Sequence, residues 1–493
     1  MSKTEAAKIR EQLGHPVVDV DGHMLEFLPA VFPFLREALG PRLFESYRRQ
    51  GPAARRDFER SSDIEATASR MPQIAWWGCT NDPLERATVM LPELLYERME
   101  DLGLDYCVLF TTNGLSQCSV EDDELRAGIC RGFNDYYAEV YGPFRERLAP
   151  AGMIPMHSPT EALAELDHCK EIGLKAVVLP EGVLRPTPAA AADVPNPLLW
   201  PGQRHWFDRF GLDSAYDYDP VWKRALEHGF AITFHGQLAN CPGTYTSPNN
   251  YCYNHLGMFA GLMFPLCKSL FMGGVTARVP DQAFGFLECG VSWAAQLLAD
   301  SVEHWEKRRL PALERLNPAG LDFDALDDYV KRYGGPLAKI PEQERRRAYA
   351  REAIDAAGPE QMDDWAQLAP KSAEELCERF TEPFYFGCEA DDRGVAAAFS
   401  KTNPFGVKLK AMFSSDIGHW DVEQIEAVLP EAFGLVKKGV LDEEQFFEFA
   451  FAHSAEMLLN ANPAFFEGTP VESAAAALRG ASGAEASTGA REA

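Results

Sequence analysis

The segment Val17–Glu26 most constrains what this chain can fold into, because a short apolar run leads directly into residues of metal-ligand type. A buried β-strand accounts for the apolar positions. Alternation along the strand then points Asp19, Asp21 and His23 to one side at its carboxyl end. Three such side chains are costly to bury unless a cation neutralises them. The segment therefore predicts a metal site, and the alternative is a surface strand end with solvated acids.

Seven further short apolar stretches follow, separated by spacers of helical character. They lie at 105–112, 148–156, 174–181, 230–235, 283–288, 384–389 and 409–416. Eight near-continuous apolar strands with helical connections are typical of a parallel sheet that is covered on both faces. The pattern predicts an α/β fold, a (β/α)8 TIM-like barrel with helical insertions, whose active site lies where the strands end.

The length of 493 residues allows one large barrel with insertions or two to three ordinary domains. The strand pattern favours one barrel, formed by residues 1–309 and 371–470, with a helical insertion at 28–101. We found no internal repeat that would indicate tandem domains.

Two segments are expected to lie outside the barrel. Residues 310–370 form a predicted helical insertion that could act as a lid, an oligomer contact or a carrier-binding surface, with Arg345–Arg347 on a solvated face. Residues 471–493 are rich in Ala, Gly, Ser and Glu, and they predict a disordered tail.

Charge and cysteine usage exclude several classes of partner. The formal net charge of -27 argues against binding to nucleic acid or anionic membranes, both of which need basic surfaces. We see no signal peptide and no run of eighteen apolar residues, so we expect a cytoplasmic protein. The 11 cysteines show no paired spacing, which fits reduced thiols.

Several predicted strands end in a residue that can bind metal. Glu181 ends the fourth strand, His235 the fifth, Glu288 the sixth and Asp416 the eighth, with His419 shortly after it. A single histidine at a strand end is more often structural. Acids and imidazoles at four strand ends of one barrel face favour a metal site.

These motifs together resemble the amidohydrolase superfamily, and most closely its amidohydrolase-2 group, which includes the aminocarboxymuconate-semialdehyde and resorcylate decarboxylases. They are Asp21-Gly22-His23, Phe234-His235, Glu288–Trp293 and Ser415–His419. In that group an acid-x-His or His-x-His pair on the first strand, a histidine on the fifth and an aspartate on the eighth hold one metal. The resemblance assigns these positions to Asp21, His23, His235 and Asp416.

The chain also departs from the pattern of that group. It has Glu288 where the decarboxylases usually carry a histidine, and the fourth strand lacks a terminal lysine, with Glu181 near the bridging position instead. The candidate ligands are therefore rich in carboxylate and free of thiolate, which suits iron or manganese better than zinc. Seven candidate ligands, or eight with His255, are more than one ion with open coordination positions would need. Two ions are therefore favoured. The full predicted set is Asp21, His23, Glu181, His235, Glu288, Asp416 and His419.

Two bridged irons would be similar to the sites of diiron oxygenases, including the amidohydrolase-fold nonheme diiron monooxygenases of platensimycin and platencin biosynthesis. This resemblance implies two Fe, dioxygen as cosubstrate, and hydroxylation of an unactivated carbon in secondary metabolism. The expected substrate is bulky and apolar, a terpenoid or an acyl thioester.

The alternative keeps the same site without redox chemistry. One Zn or Mn would serve a hydrolase or decarboxylase that acts on an amide, an ester or an aromatic carboxylic acid. Asp416 would then act as the base, and His255 is the second candidate catalytic residue. A binding protein that has lost its metal is the third hypothesis.

An aromatic and methionine-rich segment lies between the fifth and sixth strands and could line an apolar cavity. Its helical spacing also fits a helix packed on the barrel wall. The candidate substrate-binding residues are Trp76, Trp77, Tyr245, Tyr251, Tyr253 and Met258.

Overall fold

A computed structural model describes most of the chain. The described residues are 3–50, 79–187, 205–236, 246–317, 320–354 and 362–480. In them, eight parallel strands form one sheet that curves into a nearly closed barrel, in the order β1-β2-β3-β4-β7-β8-β9-β10. These strands are β1 (Val18–Met24), β2 (Tyr106–Thr111), β3 (Leu148–Met153), β4 (Ala176–Pro180), β7 (Ile232–His235), β8 (Phe284–Phe286), β9 (Phe384–Glu389) and β10 (Lys410–Ser414).

The α-helices lie before, between and after these strands. The first part of the chain contains α1 (Glu5–Gln12), α2 (Leu28–Gln50), α3 (Pro83–Met90), α4 (Pro92–Leu102), α5 (Asp123–Tyr141), α6 (Pro159–Glu171) and α7 (Asp219–His228). The middle part contains α8 (Tyr251–His255), α9 (Met258–Met272), α10 (Val275–Arg278), α11 (Ser292–Arg308), α12 (Leu310–Leu313), α13 (Phe323–Tyr333) and α14 (Glu342–Ile354). The last part contains α15 (Ala373–Thr381), α16 (Val428–Lys437), α17 (Glu443–Phe447) and α18 (His453–Ala461).

The ends of the sheet meet where the last strand lies beside the first. The Asp416 amide donates to the carbonyl of Asp21 at 2.8 Å, and the His23 amide donates to the carbonyl of Ile417 at 2.6 Å. The closure therefore brings the carboxyl ends of β1 and β10 together. The predicted (β/α)8 fold is confirmed.

Aromatic side chains pack the strands of one half of the barrel. Phe286 stacks between Phe234 and Phe386, with ring centroids 5.7 Å away on each side. All three rings are fully buried. Their burial stabilises the barrel by removing large apolar surfaces from water, and it places β7, β8 and β9 side by side.

Helix α9 belongs to the only described stretch, Tyr251–Met272, that is apolar and long enough to cross a membrane by length and composition. Seven residues of α9 are buried, including Met263, Leu266 and Phe271. The helix therefore packs as a core helix on the barrel wall, which is the arrangement that its helical spacing indicated.

The structure corrects two expectations and adds one element. An antiparallel hairpin of β5 (Val183–Pro186) and β6 (His205–Asp208) was not predicted. Arg345 is buried rather than solvated, and its Nε donates to Asp327 Oδ1 at 2.7 Å because α14 packs on α13. The ordered chain also continues past 470, since residues 472–480 are helical.

The extra helix is explained by two apolar residues one turn apart. Val471 and Ala475 are both buried against the barrel, and alanine favours a helix. The rest of the predicted tail, 481–493, lies outside the described residues. The division into a barrel and a separate 310–370 insertion stays a prediction.

Candidate metal centre

Polar side chains gather at the carboxyl end of the barrel. Asp21 and His23 lie on β1, His235 is the last residue of β7, Glu288 comes two residues after β8, and Asp416 comes two residues after β10. Because the strands are parallel, these ends all meet on one face. All five residues are at most 4% exposed.

Asp21, His23 and His235 form the first cluster. The Nε2 atoms of the two histidines are 3.1 Å apart, and they lie 3.8 and 3.9 Å from Asp21 Oδ1. His235 Nδ1 is 3.0 Å from the carbonyl of Gly236. A proton on Nδ1 satisfies that carbonyl and leaves the Nε2 lone pair pointing at the cluster, as a metal ligand requires.

Glu288, Asp416, His419 and Asp421 form the second cluster. His419 Nδ1 is at its centre, 2.9 Å from Asp416 Oδ2, 3.4 Å from Asp421 Oδ1 and 3.6 Å from Glu288 Oε1. Three carboxylates around one imidazole nitrogen provide mainly oxygen ligands, which suit a hard or borderline divalent cation.

The two clusters are in direct contact. His23 Nε2 is 3.2 Å from Asp416 Oδ1, and His235 Nε2 is 3.2 Å from Glu288 Oε2. The rings of His23 and His419 are stacked with centroids 4.7 Å apart. The seven residues therefore form one continuous group of candidate ligands, which could serve one shared metal site or two adjacent ones.

Unsatisfied carboxylate oxygens provide the test of whether a cation fits. Both oxygens of Asp21, both of Glu288 and Oδ1 of Asp416 are buried and accept no hydrogen bond of good geometry within the described part of the chain. An ionised carboxylate in such surroundings costs several kcal/mol (about 2–7 kcal/mol even for a neutral polar group). A bound divalent cation removes this cost, so the residues fit a metal.

The pKa values of these side chains also favour a bound cation. Burial raises the pKa of Asp21, Glu288 and Asp416 well above the usual range and lowers the pKa of His235 to about 3. Burial also lowers the pKa of His23, with smaller contributions from the neighbouring histidines. Neutral imidazoles are ready to bind metal, and a cation would restore the ionised form of the acids.

Two of the acids have unusual backbone conformations. The φ angles of Glu288 and Asp416 are 52° and 51°, in the left-handed region. Residues other than glycine rarely adopt it, and it costs about 1–3 kcal/mol per residue. The chain turns sharply just after β8 and β10, and this turn positions both carboxylates against the histidines.

Asp19 and Glu26, which the sequence could not assign, support the site from outside. Asp19 accepts hydrogen bonds from the Ser415 amide and hydroxyl and from the Cys107 thiol. Glu26 accepts from the Thr111 hydroxyl, from Tyr137 Oη at 2.7 Å and from the Asn113 amide at 2.9 Å. Since their oxygens are already used by these donors, both residues position β1 rather than join a cluster.

Glu181 and His255 lie at different distances from the clusters. Glu181 is buried beyond the end of β4, and Arg209 Nη1 donates to its carbonyl at 3.3 Å. It is in neither cluster of the described residues. His255 Nε2 lies 3.3 Å from Asp421 Oδ2 and 4.0 Å from Glu288 Oε1, at the outer edge of the second cluster.

Two acids of the site were missed by the sequence reasoning. Asp421 belongs to the second cluster, and hydrogen bonds from His255 and His419 lower its pKa although burial opposes the shift. Glu389 ends β9, and burial together with the charges of Asp421 and Asp391 raises its pKa to about 7. Its position at a strand end was a signal that could have identified it. Asp421 lies on a loop and carried no comparable signal.

The predicted substrate-binding residues are only partly placed. Tyr251 accepts a hydrogen bond from Trp420 Nε1 at 2.8 Å and stacks on His255, with centroids 5.2 Å apart. Met258 is half-buried, and Tyr253 is 60% exposed. Trp76, Trp77 and Tyr245 lie outside the described residues.

Comparison with known proteins decides the family. The family model described as Amidohydrolase matches residues 79–362, which is more than half of the chain. The chain belongs to the amidohydrolase family. Its members use a divalent metal, so this amidohydrolase is a metal-dependent enzyme whose candidate ligands are the two clusters.

Several solved structures are similar to this chain at low sequence identity. An amidohydrolase from Mycobacterium avium subsp. paratuberculosis is 14% identical, with a TM-score of 0.53, over 90% of this chain and 100% of that one. A manganese-containing dihydroxybenzoic acid decarboxylase from Polaromonas sp. JS666 is 13% identical, with a TM-score of 0.47, over 90% and 98%. A 5-carboxyvanillate decarboxylase from Sphingomonas paucimobilis is 13% identical, with a TM-score of 0.43, over 90% and 98%. No curated protein matches the sequence.

Proposed function

We propose that this amidohydrolase is a metal-dependent hydrolase or decarboxylase that acts on an amide, an ester or an aromatic carboxylic acid. The observation that carries the proposal is the set of buried carboxylate oxygens without hydrogen-bond donors, which face imidazole nitrogens at the end of the barrel. The family of the chain supports the same class of reaction.

The residues of the two clusters would hold the cation. Asp21, His23 and His235 provide one set of ligands, and Glu288, Asp416 and His419 provide the other. When bound, a divalent cation supplies Lewis acidity that polarises a carbonyl group and makes water more acidic. The carbonyl of Gly236 fixes the His235 ring for this role.

Asp416 and His255 are the candidates for proton transfer. Asp416 lines the cavity beside the clusters and can accept the proton of an attacking water. The Asp421 carboxylate orients His255 at the outer edge of the second cluster, where the imidazole could protonate a leaving group. In the decarboxylation of an aromatic acid, the same residues would deliver the proton that replaces carbon dioxide.

The Asp416→Asn variant tests this proposal. We expect the metal-loaded protein to turn over at least one of an aryl ester, an anilide and a hydroxylated benzoate, and a chelator to remove the activity. The variant keeps the side-chain shape but loses the base, so kcat should fall by about 10²–10⁴-fold. Metal per chain is measured alongside, so that kcat is compared at equal occupancy. Unchanged turnover in the variant, or no turnover of any member of the panel, would contradict the proposal.

A nonheme diiron monooxygenase is the second candidate, because the ligands divide into two adjacent clusters that together contain four carboxylates. This arrangement resembles the carboxylate-rich sites of diiron proteins. The cosubstrate would be dioxygen, and the substrate a bulky apolar terpenoid or acyl thioester of antibiotic biosynthesis.

Replacing Glu288 distinguishes a site that holds one metal ion from a site that holds two. With two ions, Glu288→Gln should lose about one metal equivalent of the two. A mononuclear site that is held by Asp21, His23, His235 and Asp416 should keep its full complement. Mass spectrometry of the metals and a Mössbauer spectrum of the iron-reconstituted protein provide the readout. Two coupled irons together with oxygen uptake would favour the monooxygenase, and a single zinc or manganese would exclude it.

We further propose a cytoplasmic location and, through the 310–370 insertion, homo-oligomer formation. The acidic composition supports the absence of nucleic-acid and membrane partners. Fractionation of the producing cells and light scattering of the purified protein test these two proposals.

A further inference from the structure

A cavity of about 460 Å³ opens beside the metal centre, within the size range of small-molecule sites. It lies between the ends of β9 and β10 and the segment that leads into α16. Asp416 and Asp421 belong both to its wall and to the second cluster, so the cavity reaches the proposed metal ligands.

The wall of this cavity is acidic, and we refer to it as the acidic vestibule. Of its described residues, six carry a carboxyl group and none is lysine or arginine. The remaining wall is small or uncharged. The described wall residues are Glu389, Ala390, Asp391, Ser415, Asp416, Asp421, Val422, Glu423, Gln424, Ala427, Val428 and Glu431.

The acids of the vestibule repel one another. The charges of Asp421 and Asp391 add to burial in raising the pKa of Glu389 to about 7, and burial with Asp391 raises the pKa of Glu431. Asp416 is 2% exposed, and its Oδ1 has no hydrogen-bond partner among the described residues. In the metal-loaded protein, Asp416 and Asp421 are compensated by the metal that they would help to bind. The other four wall acids, Glu389, Asp391, Glu423 and Glu431, attract a further cation and repel an anion.

We propose that the acidic vestibule selects substrates that carry an organic cation, an ammonium or guanidinium group, next to the amide or ester that is cleaved. This inference rests on the proposed hydrolase function and names its substrate class. It also disfavours the aromatic carboxylic acids that a decarboxylase would take, because their anionic group must pass the same wall.

Three ligands of nearly equal shape test the selection without requiring turnover. Benzylammonium, benzyl alcohol and benzoate are titrated into the zinc-loaded protein by calorimetry. We expect benzylammonium to bind at least about tenfold more tightly than benzyl alcohol, benzoate to bind most weakly, and added salt to reduce the preference. Because binding is measured directly, a protein that hydrolyses nothing can still show the preference, and the two proposals fail separately.

Variants that each lack one carboxylate of the vestibule test whether this wall causes the preference for benzylammonium. Glu423→Gln and Glu431→Gln should each weaken benzylammonium binding about threefold and leave benzyl alcohol unchanged, as expected for exposed charges. Glu306→Gln, an exposed acid on α11, is the control and should change neither. Benzoate binding as tight as that of benzylammonium would overturn the proposal. Excess zinc that displaces benzylammonium would overturn it too, because the vestibule would then be a further metal site.

Discussion

Asp21, Glu288 and Asp416 are buried with oxygen atoms that accept no hydrogen bond of good geometry among the described residues. At the scale of single residues, this is the feature that gives the barrel its chemistry, because an unpaired buried carboxylate is costly unless a cation compensates it. Glu389 extends the acidic environment from the clusters to the vestibule, and its protonation can be measured.

Glu389 should make the stability of the metal-free protein depend on pH. Its pKa is about 7 in the folded chain, against 4.5 for an ordinary glutamate. Between these two values the folded state binds one proton more than the unfolded state, so the free energy of unfolding falls as the pH rises. Above pH 7 no further loss comes from this group.

The Glu389→Gln variant should lack this contribution. Urea unfolding at pH 5 and pH 7, both with chelator present, provides the measurement. We expect the loss of stability between the two pH values to be smaller in the variant than in the parent protein. An equal loss in both proteins would show that other groups account for the pH dependence.

At the scale of elements, the turn after β10 connects the closure of the barrel to the site. Gly418 has a φ of 90°, and a Cβ atom there would lie 2.4 Å from the carbonyl oxygen of His23. The turn therefore approaches β1 so closely that only glycine fits. The same turn carries Asp416 and His419, so its shape sets the distance between the two clusters.

Gly418→Ala should lower the free energy of unfolding by about 2–4 kcal/mol, from a strained φ and the contact with β1. It should also weaken metal binding, because His23 must shift. Gly439→Ala is the matched control, since its φ is 67° but nothing lies within 4 Å of the added Cβ. This control should cost only about 1 kcal/mol and leave the metal content unchanged. Equal effects of both variants would rule out the role of the close contact.

At the scale of the whole molecule, the metal centre joins parts of the chain that are distant in sequence. Asp21 and His23 come from β1, His235 from β7, and Asp416 from the end of β10. A cation that binds only the folded barrel must stabilise it by mass action. The stability of the protein and its metal content should therefore change together.

Chelation should lower Tm by several degrees, since a metal present at about 100 times its Kd contributes about 2.7 kcal/mol. Differential scanning calorimetry with and without chelator is the measurement. Asp21→Asn is the control, because a protein that binds metal poorly should show the same Tm with and without chelator. A Tm of the parent protein that does not respond to chelator would contradict a metal bound by the folded state alone.

The sequence alone determined the barrel and the positions of most polar residues in the site. Short apolar strands, each buried on both sides, can form only a covered parallel sheet, and the end of each strand then lies on one known face. Asp21, His23, His235, Glu288 and Asp416 were identifiable for this reason, since their roles follow from their places at strand ends.

Only the tertiary structure decided which neighbouring polar residues share the site. Asp421 reaches the second cluster from a loop, and Asp19 and Glu26 accept hydrogen bonds from donors that are distant in the sequence. Such choices depend on contacts between residues far apart in the chain, which periodicity and spacing do not encode. The acidic vestibule also became visible only in three dimensions, because its wall is assembled from two strand ends and the segment before α16.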